Sequence, residues 1–182
     1  MMGALYFITG SCGSGKSTLL AAVKAARPGL SAQHTDDMGV PGVEEMIARF
    51  GSADAWQAHR AREWVERAAA APGVTVVDGQ ARPKLILDAA RDAGVDTVRV
   101  VLVDCGHAER RRRLLEQRLQ PELDVLDTYA WAAYLRGQAD ALGLEVIDTT
   151  GHGIEESTAL LEASIARFAT GAGVPLEAPR PG

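Results

Sequence analysis

Three glycines fall within six positions, Gly10-Ser11-Cys12-Gly13-Ser14-Gly15, and one lysine and two hydroxyls follow at once, Lys16-Ser17-Thr18. Residue types in this order do phosphate chemistry. Glycines let successive backbone N–H groups turn toward one point and approach an anion closely. Lys16 adds a mobile positive charge for the outer phosphates, and Ser17 adds a hydroxyl suited to Mg²⁺. Gly10 to Ser17 fit G-x-x-x-x-G-K-[ST], the Walker A pattern, so the stretch from Gly10 to Thr18 is the candidate site for a nucleotide's phosphates. Cys12 reads as a small loop residue, because no histidine base accompanies it in the sequence.

The loop needs a strand before it and a helix after it, and both are present. "ALYFITG" is a short apolar run of strand type, and "KSTLLAAVKAARPG" has helical spacing with Pro28 and Gly29 as its stop. Four further strand-like runs follow, "LSAQHTDD", "VTVVDG", "DTVRVVLVDCG" and "LEVIDTTG". Helical segments separate them. The segment 43–71 reads as two helices broken at Gly51-Ser52, with Ser52 or Asp54 as the second N-cap. Strands alternating with helices predict an α/β domain, a five-stranded parallel sheet covered on both faces. One domain over 1–170 is expected, and a flexible Gly- and Pro-rich tail over 171–182.

Composition narrows the function classes. The net charge is -5, which weighs against nonspecific nucleic-acid binding. Two cysteines, Cys12 and Cys105, make no disulfide framework, and no His/Cys cluster has zinc spacing. The apolar N-terminal stretch is too short for a signal peptide, and no run approaches the ~20 apolar residues of a membrane span. A soluble cytoplasmic protein is the default expectation.

Beyond the loop, the segment "VVDGQARP" resembles the strand end D-G-[FY]-P-R of nucleoside monophosphate kinases: Asp78, Gly79 and Arg82 match, while Gln80 and Ala81 depart. "VLVDCGHAERRRRLLEQRL" resembles the lid entry of the shikimate, gluconate and nucleoside monophosphate kinases. The resemblance covers about residues 4–168. It implies an ATP- and Mg²⁺-dependent kinase with a short lid over 118–128 and an acceptor-binding helical subdomain over 43–71. It places Asp78 and Ser17 at the metal, and Asp78, Gly79, Arg82 and Arg136 at the acceptor. Arg113 and Arg118 would face the phosphates, Arg118 with a catalytic role beside Lys16. The loop after the last strand would wrap the adenine. Asp36 or Asp37, at the end of the second strand, would contact the acceptor hydroxyl. Neighbours in an extended strand point opposite ways, so the two should not share that job.

Other residues take plainer readings. Arg110 to Arg112 read as a solvated face, and His34 as a packing or hydrogen-bonding group. Trp56, Arg60 and Trp64 recur at i, i+4 and i+8. The favoured reading packs both tryptophans inward with Arg60 at the surface; the other lines a pocket with the stripe. The guanine-switch motif N-K-x-D and the transporter motif L-S-G-G-Q are absent. A phosphotransferase acting on a small-molecule acceptor is therefore the expected function. The D-G-x-x-R match favours a nucleotide monophosphate, whereas the short lid and paired aspartates favour a hydroxylated metabolite or antibiotic-like compound. A regulatory ATPase switch without an acceptor is the alternative, and a nucleic-acid kinase or ATPase ranks third.

Overall fold

The computed structural model describes residues 3–176. Five parallel strands lie in the order β2-β3-β1-β4-β5, where β1 is Ala4–Thr9, β2 Ser31–His34, β3 Val74–Gly79, β4 Val98–Asp104 and β5 Glu145–Asp148. Seven α-helices connect and flank them: α1 (Lys16–Ala26), α2 (Val43–Phe50), α3 (Ala53–Ala70), α4 (Pro83–Asp92), α5 (His107–Arg112), α6 (Leu126–Leu142) and α7 (Ile154–Ala172). The expected α/β architecture is the observed one.

The central strand shows why the sheet is covered twice. Side chains alternate faces along a strand, and both sets on β1 are apolar. Tyr6 and Ile8 pack with Leu20 and Val23 of α1 and Leu161 and Ile165 of α7. Leu5 and Phe7 pack on the other face with Trp64 and Val65 of α3 and Ile86 of α4. Phe7 is fully buried, so Phe7→Ala is expected to cost about 3–5 kcal/mol through lost burial and the cavity left behind.

The same split positions the site. β1 and β3 are neighbours, with Ile8 opposite Asp78 and Thr9 opposite Gly79. The helix after β1 packs on one face, and the helix after β3 packs on the other. A crevice therefore opens between the carboxyl ends of these two strands, where ligands bind in open parallel sheets. The Gly-rich loop and Asp78 both stand at its edge.

Two boundaries differ from expectation. The second strand stops at His34, and Thr35–Met38 form a single 3₁₀ turn. Of the tail expected from Gly171, residues 171–172 complete α7, Val174 and Leu176 pack against the core, and the Pro175 carbonyl accepts from the Val74 N–H. The rest of the expected tail lies outside the described residues.

Candidate active site

Gly13 and Gly15 hold positive φ angles of 75° and 97°, a region that side chains strain, and this bends the loop back on itself before α1. α1 begins with no side-chain cap and no acidic residue in its first turn. Its first N–H groups have no intrahelical acceptor, and they carry the positive end of the helix dipole. By contrast, Ser52 caps α3 by accepting from the Ala55 N–H at 3.0 Å, which settles the two expected caps in its favour. Lys16 is largely buried beside the loop, while Ser17 and Thr18 are exposed at the helix start. Gly10 and Ser11 are buried beneath, with the Ser11 hydroxyl donating to the Thr128 carbonyl at the start of α6.

The loop is clamped from outside by two arginines. Arg110 is 1% exposed and donates to the Cys12 carbonyl at 2.7 Å and to the Asp104 carboxylate at 2.6 Å. It is not part of a solvated face, as the four-arginine run had indicated. Arg113 donates to the Ser14 carbonyl at 3.0 Å and to the Thr149 carbonyl at 2.8 Å. These bonds fix the loop's carbonyls, and within the loop the Ser14 N–H donates to the Ser11 carbonyl at 3.2 Å. Arg113, expected to face the phosphates, is engaged here as a brace on the loop. The signal for Arg110 lay in the helical period, since Arg110 and Leu114 share one face at i, i+4. Both pack on Gly13.

Arg112 and Arg113 also grip Glu109, and hydrogen bonds from both hold its carboxyl down to about 2. Past Arg112 the helix widens into a π turn over Arg113–Gln117. Leu119 then takes a positive φ of 52° and a short 3₁₀ turn, Pro121–Leu123, leads into α6. Asp124 fixes this segment by accepting from Arg111 at 3.1 Å and from the Tyr129 hydroxyl.

A cavity of about 430 Å³ opens on this side of the loop, lined by Gly13, Gly15, Thr18, Arg113, Arg118 and Thr149 among others. Glu109 matches Arg112 and Arg113 there. Arg118 is exposed and, among the described residues, has no carboxylate partner; nor does Lys16. His152, Gly153 and Ile154 line the same cavity. The loop after β5 thus reaches the region expected to meet a nucleotide base.

On the opposite side of the loop, Asp78 is 3% exposed. Its Oδ2 pairs with His34 Nδ1 at 3.0 Å, and its Oδ1 is buried with no partner. Gly79 must be glycine, because a Cβ there would lie 2.3 Å from the Thr35 side chain. A second cavity, of about 180 Å³, is lined by Asp36, Trp56, Gln57, Arg60, Trp64 and Gln80, with apolar side chains between them. The Trp56/Arg60/Trp64 stripe lines this cavity, and the side chain of Arg60 is only 17% exposed. The surface reading of Arg60 fails because α3 turns this face toward the 3₁₀ turn rather than toward water.

The two aspartates part company for a different reason from the one expected. They sit in a 3₁₀ turn, not an extended strand. Asp37 accepts from the His34 N–H at 3.1 Å and caps the turn. Asp36 faces the cavity. Two other expected acceptor residues are already engaged. Arg82 donates to Asp54 at 2.5 Å. Arg136 lies between Asp140 at 3.2 Å and Asp104 at 3.8 Å and lines neither cavity.

No protein-family model and no curated protein matches the sequence. Solved structures do match. A gluconokinase from Sinorhizobium meliloti superposes with a TM-score of 0.60 at 17% identity, over 94% of this chain and 96% of that one. A shikimate kinase from Acinetobacter baumannii gives 0.56 at 12%, over 92% and 95%. A thymidylate kinase from Candida albicans gives 0.57 at 13%, over 91% and 92%. This is the P-loop kinase fold. In this chain residues 113–125 connect α5 and α6, and among the described residues no helix is long and apolar enough to cross a membrane.

Proposed function

We propose that the protein is a kinase that moves the γ-phosphate of ATP to a hydroxyl of a small molecule. The observation that carries this reading is a pair of cavities near one loop, the first lined by Gly13 and Gly15 and the second by Gln80, whose amide donates to Cys12 Sγ at 3.3 Å. One has Arg118 at its wall, a cation with no carboxylate partner among the described residues, beside the uncapped helix start that carries Lys16; the other has a carboxylate, Asp36, at its wall. A phosphate-binding loop that served only as a switch would need no second cavity. The fold's likeness to several kinases supports the reading.

The loop N–H groups and Lys16 hold the β- and γ-phosphates and offset charge that builds as the phosphoryl group transfers. Arg118, on the lid-like segment, adds charge from above. Asp36 orients the acceptor hydroxyl and takes its proton late, which requires positioning more than basicity. Arg110 and Arg113 are positioning residues that keep the loop carbonyls turned away.

Ser17 and Asp78 are the residues that would hold Mg²⁺. The fit rests on the buried, unpartnered Oδ1 of Asp78 and on the oxygen character of both groups, which suits a hard cation. When bound, the ion would neutralise phosphate charge. His34 keeps the Asp78 carboxylate oriented from its other oxygen.

Two variants test the assignment in one assay series. Lys16→Ala is expected to lose Mg-ATP binding and transfer together. Asp36→Asn is expected to keep Mg-ATP binding, measured by calorimetry, and to lose transfer. Retained transfer in Asp36→Asn would refute its role.

A further inference from the structure

The charge on the acceptor side is matched internally, and this bears on what the cavity takes. Arg60 Nη1 lies 2.6 Å from Glu63, which His59 also approaches at 3.8 Å. Arg82 lies 2.5 Å from Asp54. Next to the 180 Å³ cavity and sharing Val40, Trp56 and Arg60 with it is an outer pocket, where Arg49 lies 2.8 Å from Glu45. The ionised side chains lining the two spaces are the arginines 49 and 60 against Asp36, Glu45 and Glu63. Among the described residues, a phosphate monoester or carboxylate entering here would find both arginines already beside a carboxylate and would face Asp36.

The walls give the rest of the pattern. Trp56, Trp64, Phe7, Ala61, Ala81 and Ile86 make a mostly apolar, partly aromatic enclosure. Two polar atoms in it are buried without a partner, Gln57 Oε1 and Arg60 Nη2. Buried polar groups require hydrogen bonds. A ligand can supply both, a donor for Gln57 and an oxygen acceptor for Arg60, while a flat ring lies against tryptophan, and the excess of carboxylates over arginines along the two spaces favours a neutral one.

We infer that the acceptor is an uncharged hydroxyl compound with a flat apolar ring, and that the cavity discriminates against phosphate monoesters and carboxylates. The inference rests on the kinase reading and narrows its acceptor to one chemical class. It runs against the nucleotide monophosphate that the D-G-x-x-R match had favoured, because Arg82 is held by Asp54.

The test uses matched probes built on one phenyl ring: a neutral diol, the corresponding hydroxy acid and the corresponding phosphate monoester. Binding to the full chain with saturating Mg-ADP is read by tryptophan fluorescence in a Trp131→Phe background, which leaves Trp56 and Trp64 as reporters. The neutral members of several such triplets are expected to bind at least about tenfold tighter than their anionic partners. Glu63→Gln unmatches Arg60 and is expected to narrow that gap by about tenfold. Anions binding as tightly as neutral probes to the unsubstituted cavity would overturn the inference. So would a library in which no member perturbs the fluorescence. Failure of the kinase reading shows separately, as Mg-ATP binding that is indifferent to Lys16→Ala.

Discussion

On the proposed nucleotide side of the Gly-rich loop, Lys16 and Arg118 have no carboxylate partner among the described residues; on the proposed acceptor side, Arg49, Arg60 and Arg82 each hold one. Both sides carry arginine, yet only one presents unmatched positive charge to a ligand. Pairing, not residue count, sets the local field. A guanidinium already bound to a carboxylate has little left for an anion, while an unmatched one beside a helix start adds to the dipole. The contrast is what the proposed kinase reading needs, a polyanion at one cavity and an uncharged compound at the other.

The contrast can be broken most severely at Lys16. Lys16→Ala is expected to lower transfer by at least about 10³-fold, since it removes the charge aimed at the transferring group. Arg110→Met leaves Asp104 beside an emptied site and frees the Cys12 carbonyl. It is expected to cost about 3–5 kcal/mol in urea unfolding, with Mg-ATP binding weakened in parallel. An unchanged midpoint would show that the loop does not depend on this brace.

The acceptor side should respond separately. Trp56→Ala is expected to raise the acceptor KM about tenfold while leaving Mg-ATP affinity within twofold. Arg118→Ala should do the reverse and more mildly, raising the Mg-ATP Kd about fivefold without changing the melting temperature. If Trp56→Ala weakened ATP as much as acceptor, the two sides would not be independent.

The smallest expected effect is on pH dependence. Glu109 titrates at about 2 in the folded chain against an ordinary value of 4.5. A depressed carboxylate contributes stability that is complete above 4.5 and lost as pH falls toward 2. Glu109→Gln should therefore lose less stability than the parent chain between pH 5 and 2 in parallel acid titrations, with the two curves parallel above pH 5.

How much of this was legible before folding differs between the same two sides. The loop was legible because its requirements are local: Gly13 and Gly15 are needed where φ is positive, and Lys16 and Ser17 follow at fixed spacing. The sheet was legible because alternating strands and helices leave few topologies. The acceptor side is made by tertiary contacts that have no local signature. The Arg82–Asp54 pair spans 28 positions, and the burial of Arg60 depends on where a 3₁₀ turn places Thr35 and Asp36. Asp36 and Asp37 look equivalent in sequence, and only the turn gives one to capping and the other to the cavity. Arg110 was misread for the same reason, since a run of four arginines conceals which of them turn to the loop, and Arg110 does so beside Arg113.

The central claim is transfer from a cationic donor side to an organic acceptor held opposite. Its most direct test is to incubate the protein with Mg-ATP and a mixed library of small hydroxyl compounds and follow each member by mass. The account predicts that at least one member gains the mass of a phosphoryl group, in step with ADP release, and that Lys16→Ala abolishes the gain. Release of inorganic phosphate alone, with every library member unchanged, would contradict it.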